Sequence, residues 1–170
     1  MPLSPATPED IAEVSRQLGR PARDIVAIAA RCVCGKPTVV QTRPRLGDGT
    51  PFPTVYYLTH PAATAALSGL EAAGKMVEYQ DRLGEDPEFA AAYQRAHEAY
   101  IADRDAISAA EGTEPVGEVA GISAGGMPTR VKCLHALVGH ALAAGPGVNL
   151  VGDLALEACG WSPAKCDCSH

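Results

Sequence analysis

A chain of 170 residues with 46% hydrophobic and 20% charged side chains can bury one core without staples, and its composition is that of an ordinary globular domain. The formal charge of −6 argues against wholesale binding to nucleic acid or to an anionic membrane. The opening residues show neither a basic nor an apolar signal region, and no stretch approaches the roughly 18 apolar residues of a spanning helix, so the expected address is cytoplasmic.

Thr7-Pro8-Glu9-Asp10 predicts a helix start: a hydroxyl to cap, a proline for the first position and acids for the dipole. Ile11, Val14 and Leu18 give it a narrow apolar stripe, and Gly19 with Pro21 ends it. Residues 24–32 fit a buried strand, Cys34-Gly-Lys-Pro37 a turn, and Thr38–Thr42 the next strand. After the turn cluster at 47–50, Thr54–Thr59 is β-branched and aromatic, which completes an antiparallel meander.

Pro61 opens a helix that Gly74 closes, and a short helix through Met76 and Leu83 follows. Asp86-Pro87 repeats the cap-then-proline start. Phe89, Tyr93, Ala96, Tyr100 and Ile107 then recur at helical spacing to about Ser108. On this helix Tyr93, His97, Tyr100 and Arg104 form a polar-tipped row, expected to pack on the sheet with wet tips or else to line a cleft. Residues 112–128 carry five glycines and two prolines and read as a loop. Pro128 predicts the start of the last major helix, which runs through Ala144. A short helix from Asn149 or Asp153 reaches Cys159.

The six cysteines, in a reducing compartment, are read as buried hydrophobes, metal ligands or redox groups. Cys32 and Cys34 flank a strand end, where two thiolates can aim at one ion. Zinc or an iron–sulfur cluster would suit them, with His60, Cys133 and His135 as completing ligands. Helix geometry opposes part of this set. At 100° per residue Cys133 and His135 point about 200° apart unless Cys133 lies in a distorted first turn. The tail Cys159…Cys166-x-Cys168-x-His170 has ligand chemistry but sits at a terminus, and little weight falls on it.

The second candidate is an anion site. Gly125-Gly126-Met-Pro-Thr129-Arg130-Val-Lys132 is a glycine approach to a helix start bearing a hydroxyl and two cations. Arg43 and Arg45, with Asp48 nearby, follow the second strand and would add charge. His135, His140 and Cys133 are the candidates for proton transfer or nucleophilic attack.

Several blocks together carry a family resemblance: Arg31-Cys-Val-Cys-Gly-Lys-Pro37, Thr42-Arg-Pro-Arg-Leu46, Asp48–Thr54 with Tyr56–Thr59, Gly126–His135 with His140, and Ala144–Asn149. The chain resembles the bacterial family catalogued as domain of unknown function 501 (DUF501), as seen in actinobacteria, over most of residues 10–157. The resemblance implies no activity. It implies a gene context near an enolase, a small septum protein and an exopolyphosphatase-like enzyme, and a Cys in relatives where this chain has His60.

The expected fold is α+β, a small antiparallel sheet of about three strands packed by helices from the second half. One domain is expected over residues 1–160, with a loosely held cysteine-containing tail over 161–170. Two functions follow. One is a polar site for a phosphate- or carboxylate-bearing small molecule, metal-assisted if the thiols ligate. The other is a non-catalytic module, with a structural zinc or none, for a cell-division or polyphosphate-related protein partner.

Overall fold

A computed structural model describes residues 3–165 and 168. The architecture is α+β. Strands β1 (Ser4–Pro5), β2 (Ile25–Arg31), β3 (Pro37–Thr42) and β4 (Tyr56–Leu58) form one antiparallel sheet in sequence order. The meander of β2, β3 and β4 is the one expected. β1 is an addition, too short to leave a periodic signal.

Helix α1 (Pro8–Leu18) forms for the reasons its sequence suggests. The Thr7 hydroxyl accepts the Asp10 N–H at 3.1 Å, and the Asp10 carboxylate accepts the Thr7 N–H at 3.0 Å. Gly19 ends the helix with φ 69°, a left-handed conformation that glycine adopts without penalty. Asp10 also takes both terminal nitrogens of Arg31, at 2.8 and 2.9 Å. The Arg31 guanidinium holds the Asp10 carboxyl down at about 2. This fork ties the helix to the end of β2.

The two faces of the sheet pack differently. Val40 and Ile28 face Val14 of α1 in a small cluster, while Val39, Ala29 and Leu58 face the main core. The alternation of Val39 and Val40 is the period of two expected of a strand covered on both sides. The main core is closed by α2 (Pro61–Ala72), α3 (Lys75–Glu85), α4 (Pro87–Ala110), α5 (Leu134–Ala144) and α6 (Leu150–Ala158). Among the described residues no helix is long and apolar enough to cross a membrane.

On α4 the polar-tipped row is buried, not wet. Its tips bond to loops that would otherwise carry orphaned backbone groups. Tyr93 donates to the Arg130 carbonyl at 2.7 Å, and Arg104 donates to the carbonyls of Pro53 and Val119 at 3.1 and 2.8 Å. His97 Nδ1 lies 2.7 Å from the Ser123 hydroxyl. Burial lowers the pKa of both His97 and Arg104.

Two further features differ from the expectations. The last major helix begins at Leu134, not at Pro128. Gly125 and Gly126 have φ of 64° and 93° and fold the preceding segment into a tight turn, where Arg130 N–H donates to Gly126 O and Lys132 N–H to Gly125 O. A side chain on Gly126 would stand 2.6 Å from the Arg130 carbonyl oxygen, so this glycine serves the turn itself. The tail also differs where it is described. Trp161 is 5% exposed within the main core, and Val33 N–H donates to Pro163 O at 2.9 Å. The Trp161 indole carries a large apolar area into that core.

Gly152 sets the spacing of α5 and α6. A Cβ there would stand 2.3 Å from the Leu137 carbonyl oxygen, which is backbone and cannot swing aside. Gly152→Ala should therefore cost about 1–3 kcal/mol as an overpacking substitution, read as a lowered thermal midpoint with unchanged far-ultraviolet dichroism below it.

Candidate metal centre

The β2–β3 turn is built to present two thiols. Cys32 N–H donates to Lys36 O and Gly35 N–H to Cys32 O, both at 2.8 Å, with Gly35 at φ 93° closing the turn. Cys32 is 2% exposed, whereas Cys34 faces outward. The β3–β4 register brings in the third group. Val39 pairs with Leu58, and Thr59 N–H donates to Thr38 O, so His60 falls beside the start of β3. Trp161 packs over its ring at 5.3 Å between centroids.

The docked tail then supplies Cys168. Its Sγ lies 3.0 Å from His60 Nε2 and 3.5 Å from Cys34 Sγ. Ligand atoms of Cys32, His60 and Cys168 all lie within 4.8 Å of one another. Zinc bonds of about 2.1 Å to nitrogen and 2.3 Å to sulfur imply tetrahedral edges of about 3.4–3.8 Å, so small side-chain shifts would close these atoms on one ion. Burial pushes the Cys32 thiol up, against a backbone N–H from Cys34 and a bond from Cys168. A cleft of about 350 Å³ beside the group carries Arg16 and Lys36, both of which pair with Glu13 in its wall.

Of the five predicted ligands, Cys32 and His60 fall in this group, and Cys34 reaches its edge through Cys168. Cys133 does not join them, because it lies in a second group with Glu71 and His135, again within 4.8 Å. Cys133 is the N-cap of α5 in an extended conformation, φ −153° and ψ 107°, outside the helix. That departure from helical geometry is what lets its thiol approach His135. Cys168 takes the remaining place beside Cys32, and the tail's Cys-x-Cys pattern was its only signal. Cys166 and His170 lie outside the described residues.

Two of the predicted anion-binding residues have carboxylate partners within the chain. Arg43 pairs with Glu111 at 2.9 Å, and Arg45 pairs with Glu118 at 2.8 Å. The backbone N–H groups of Arg130, Val131 and Lys132 are already engaged: those of Arg130 and Lys132 within the turn, and that of Val131 with Gln80 Oε1 at 2.9 Å. The first N–H of α5, from Leu134, donates to Glu71 at 3.0 Å. Asp48 lines a cavity of about 610 Å³ whose rim carries Arg20 and Arg23, and a turn bond from Thr50 keeps its pKa low.

His140, a proton-transfer candidate, is fully buried between the rings of Tyr56 and Tyr100. Its Nδ1 accepts from Asn149 Nδ2 at 3.0 Å, and burial lowers its pKa to about 4, so it is a neutral core residue at pH 7. His135 is only half-buried and lines a cavity of about 450 Å³ together with Cys133.

Comparison with curated proteins and with solved structures finds no match. The family model described as "Protein of unknown function (DUF501)" matches residues 28–157, and the chain belongs to that family.

Proposed function

We propose that this protein is a zinc-binding module in which Cys32, Cys34, His60 and Cys168 hold a structural ion. The ion fastens the C-terminal segment onto the β2–β3 turn. One observation carries the reading: side chains from three segments far apart in sequence place thiol and imidazole ligand atoms within 4.8 Å. Those are two thiols and one imidazole; Cys34, whose Sγ stands 3.5 Å from that of Cys168, would be the fourth ligand of a closed tetrahedral set, the pattern of structural rather than catalytic zinc. A single imidazole among the ligands and the compact spacing favour one ion over an iron–sulfur cluster. Such a site would stiffen a surface that a protein partner could read.

A cleft for a phosphate- or carboxylate-bearing molecule at Arg43, Arg45, Arg130 and Lys132 has less behind it, since Arg43 and Arg45 have carboxylate partners of their own.

Metal analysis tests the reading. The full chain, purified without chelator, loaded with zinc and desalted, should be colourless and retain the ion. Cys168→Ser should retain one equivalent fewer. Equal zinc in both proteins, or none in either, would reject the site.

A further inference from the structure

Glu71, Cys133 and His135 form a second cluster that shares no residue with the first, and its hydrogen bonding is that of a prepared ligand set. His135 Nε2 lies 3.1 Å from the Thr64 carbonyl oxygen, which can only accept, so Nε2 carries the ring proton. The Ser68 hydroxyl at 3.2 Å is then an acceptor or turns away. In the neutral ring Nδ1 presents a lone pair, and it faces Glu71 Oε1 at 3.2 Å. Two acceptors at that distance repel unless they share a proton or a cation.

The other Glu71 oxygen is fixed by the Leu134 N–H at 3.0 Å, leaving Oε1 for the shared ion. Metal-bound histidines donate their second N–H to a carbonyl or carboxylate, and ligating carboxylates are themselves hydrogen-bonded. Both conditions are met here. A nucleophile–base pair fits less well. In such a pair the nitrogen not facing the acid must reach the thiol, and here that nitrogen faces Thr64 O.

We infer that Glu71, Cys133 and His135 bind a divalent ion of the zinc class, with an open coordination position facing the adjoining cavity. One sulfur, one nitrogen and one oxygen ligand suit zinc or cobalt, and three protein ligands leave a fourth position for an exogenous group. On ligation Cys133 gives its thiol proton to solvent. The cavity, about 450 Å³, is bordered by Phe52, Tyr56, Tyr57 and Leu58 as well as by Cys133 and His135. The ligand class this fits is a small carboxylate: an anionic oxygen on the ion and an apolar or aromatic body against those rings.

This site shares no ligand with the Cys32 centre, so the two can fail separately. The full chain should hold two equivalents of zinc after loading and desalting. Glu71→Gln keeps an acceptor for the Leu134 N–H while removing the anionic ligand, and Cys133→Ser removes the thiolate. Each should reduce the content from two equivalents to one, leaving the equivalent that depends on Cys168. In the cobalt-loaded chain, benzoate should shift the visible absorption, and Cys133→Ser should abolish the shift.

If both variants hold as much zinc as the unaltered chain, Glu71 and His135 are an ion pair only and the site is rejected, whatever Cys168→Ser shows. If Cys168→Ser changes nothing while Cys133→Ser loses an equivalent, the first centre is rejected and this one stands. If cobalt binds but benzoate leaves its spectrum unmoved, the open position is rejected.

Discussion

Stripping zinc with a strong chelator, or replacing Cys32 with Ser, should lower the thermal midpoint of the loaded protein by about 5–16 °C. Ligand linkage sets the size. Free ion at a hundred times its dissociation constant adds about 2.7 kcal/mol to stability, and at a thousand times about 4.1 kcal/mol. For a chain of this length each kcal/mol moves the midpoint by about 2–4 °C. The loss should be local before it is global. Trp161 packs on His60, and Pro163 O accepts from Val33 N–H, so both tail anchors sit against the centre. Metal removal should therefore shift Trp161 fluorescence toward that of a solvated indole at temperatures where far-ultraviolet dichroism is unchanged. Identical melting curves with and without chelator would mean that no ion holds the tail.

Tyr100→Phe should destabilise the chain by about 2–4 kcal/mol although it removes one oxygen atom. The Tyr100 hydroxyl accepts two backbone N–H groups, from Val55 at 2.8 Å and Tyr56 at 3.2 Å, where the chain enters β4. Leaving a buried donor without an acceptor costs about 1–3 kcal/mol, and here there are two. The ring contacts to Tyr56 and His140, at 5.6 and 4.9 Å between centroids, survive in the variant. Tyr93→Phe is the natural comparison. It removes a donor from a single carbonyl, that of Arg130, and should cost only about 1 kcal/mol. Equal midpoint shifts in the two variants would show that the paired N–H groups find other acceptors.

What the sequence revealed divides by range. The starts of α1 and α4 were legible because cap, proline and acids act within one turn, at Thr7-Pro8 and Asp86-Pro87. The approach of Cys32 and His60 was legible because a strand end and a hairpin register are local matters. Cys168 was not. Its approach depends on Trp161 finding the core, and no short-range pattern encodes that docking. Glu71 escaped for the same reason. It caps α5 across 63 residues of chain and looks in sequence like any solvated acid on α2. The helix start at Pro128 was misplaced because a proline after two glycines suits a tight turn as well as a first helical turn. Only the bonds from Arg130 and Lys132 back to the glycines decide between them.

The sheet, finally, offers little for another chain to join. Its outer members are β1, two residues long and ending in Pro5, and β4, three residues long and packed beneath α5. The long strands β2 and β3 lie inside, β2 bordered by β1 at Ala27 and Ile28 and β3 by β4 at Val39, Val40 and Gln41. Among the described residues, a border strand two residues long that ends in proline and another three residues long offer few ladder groups to an incoming strand. Short border strands limit polymerisation through this sheet, and they do so with no charged residue in β1 or β4.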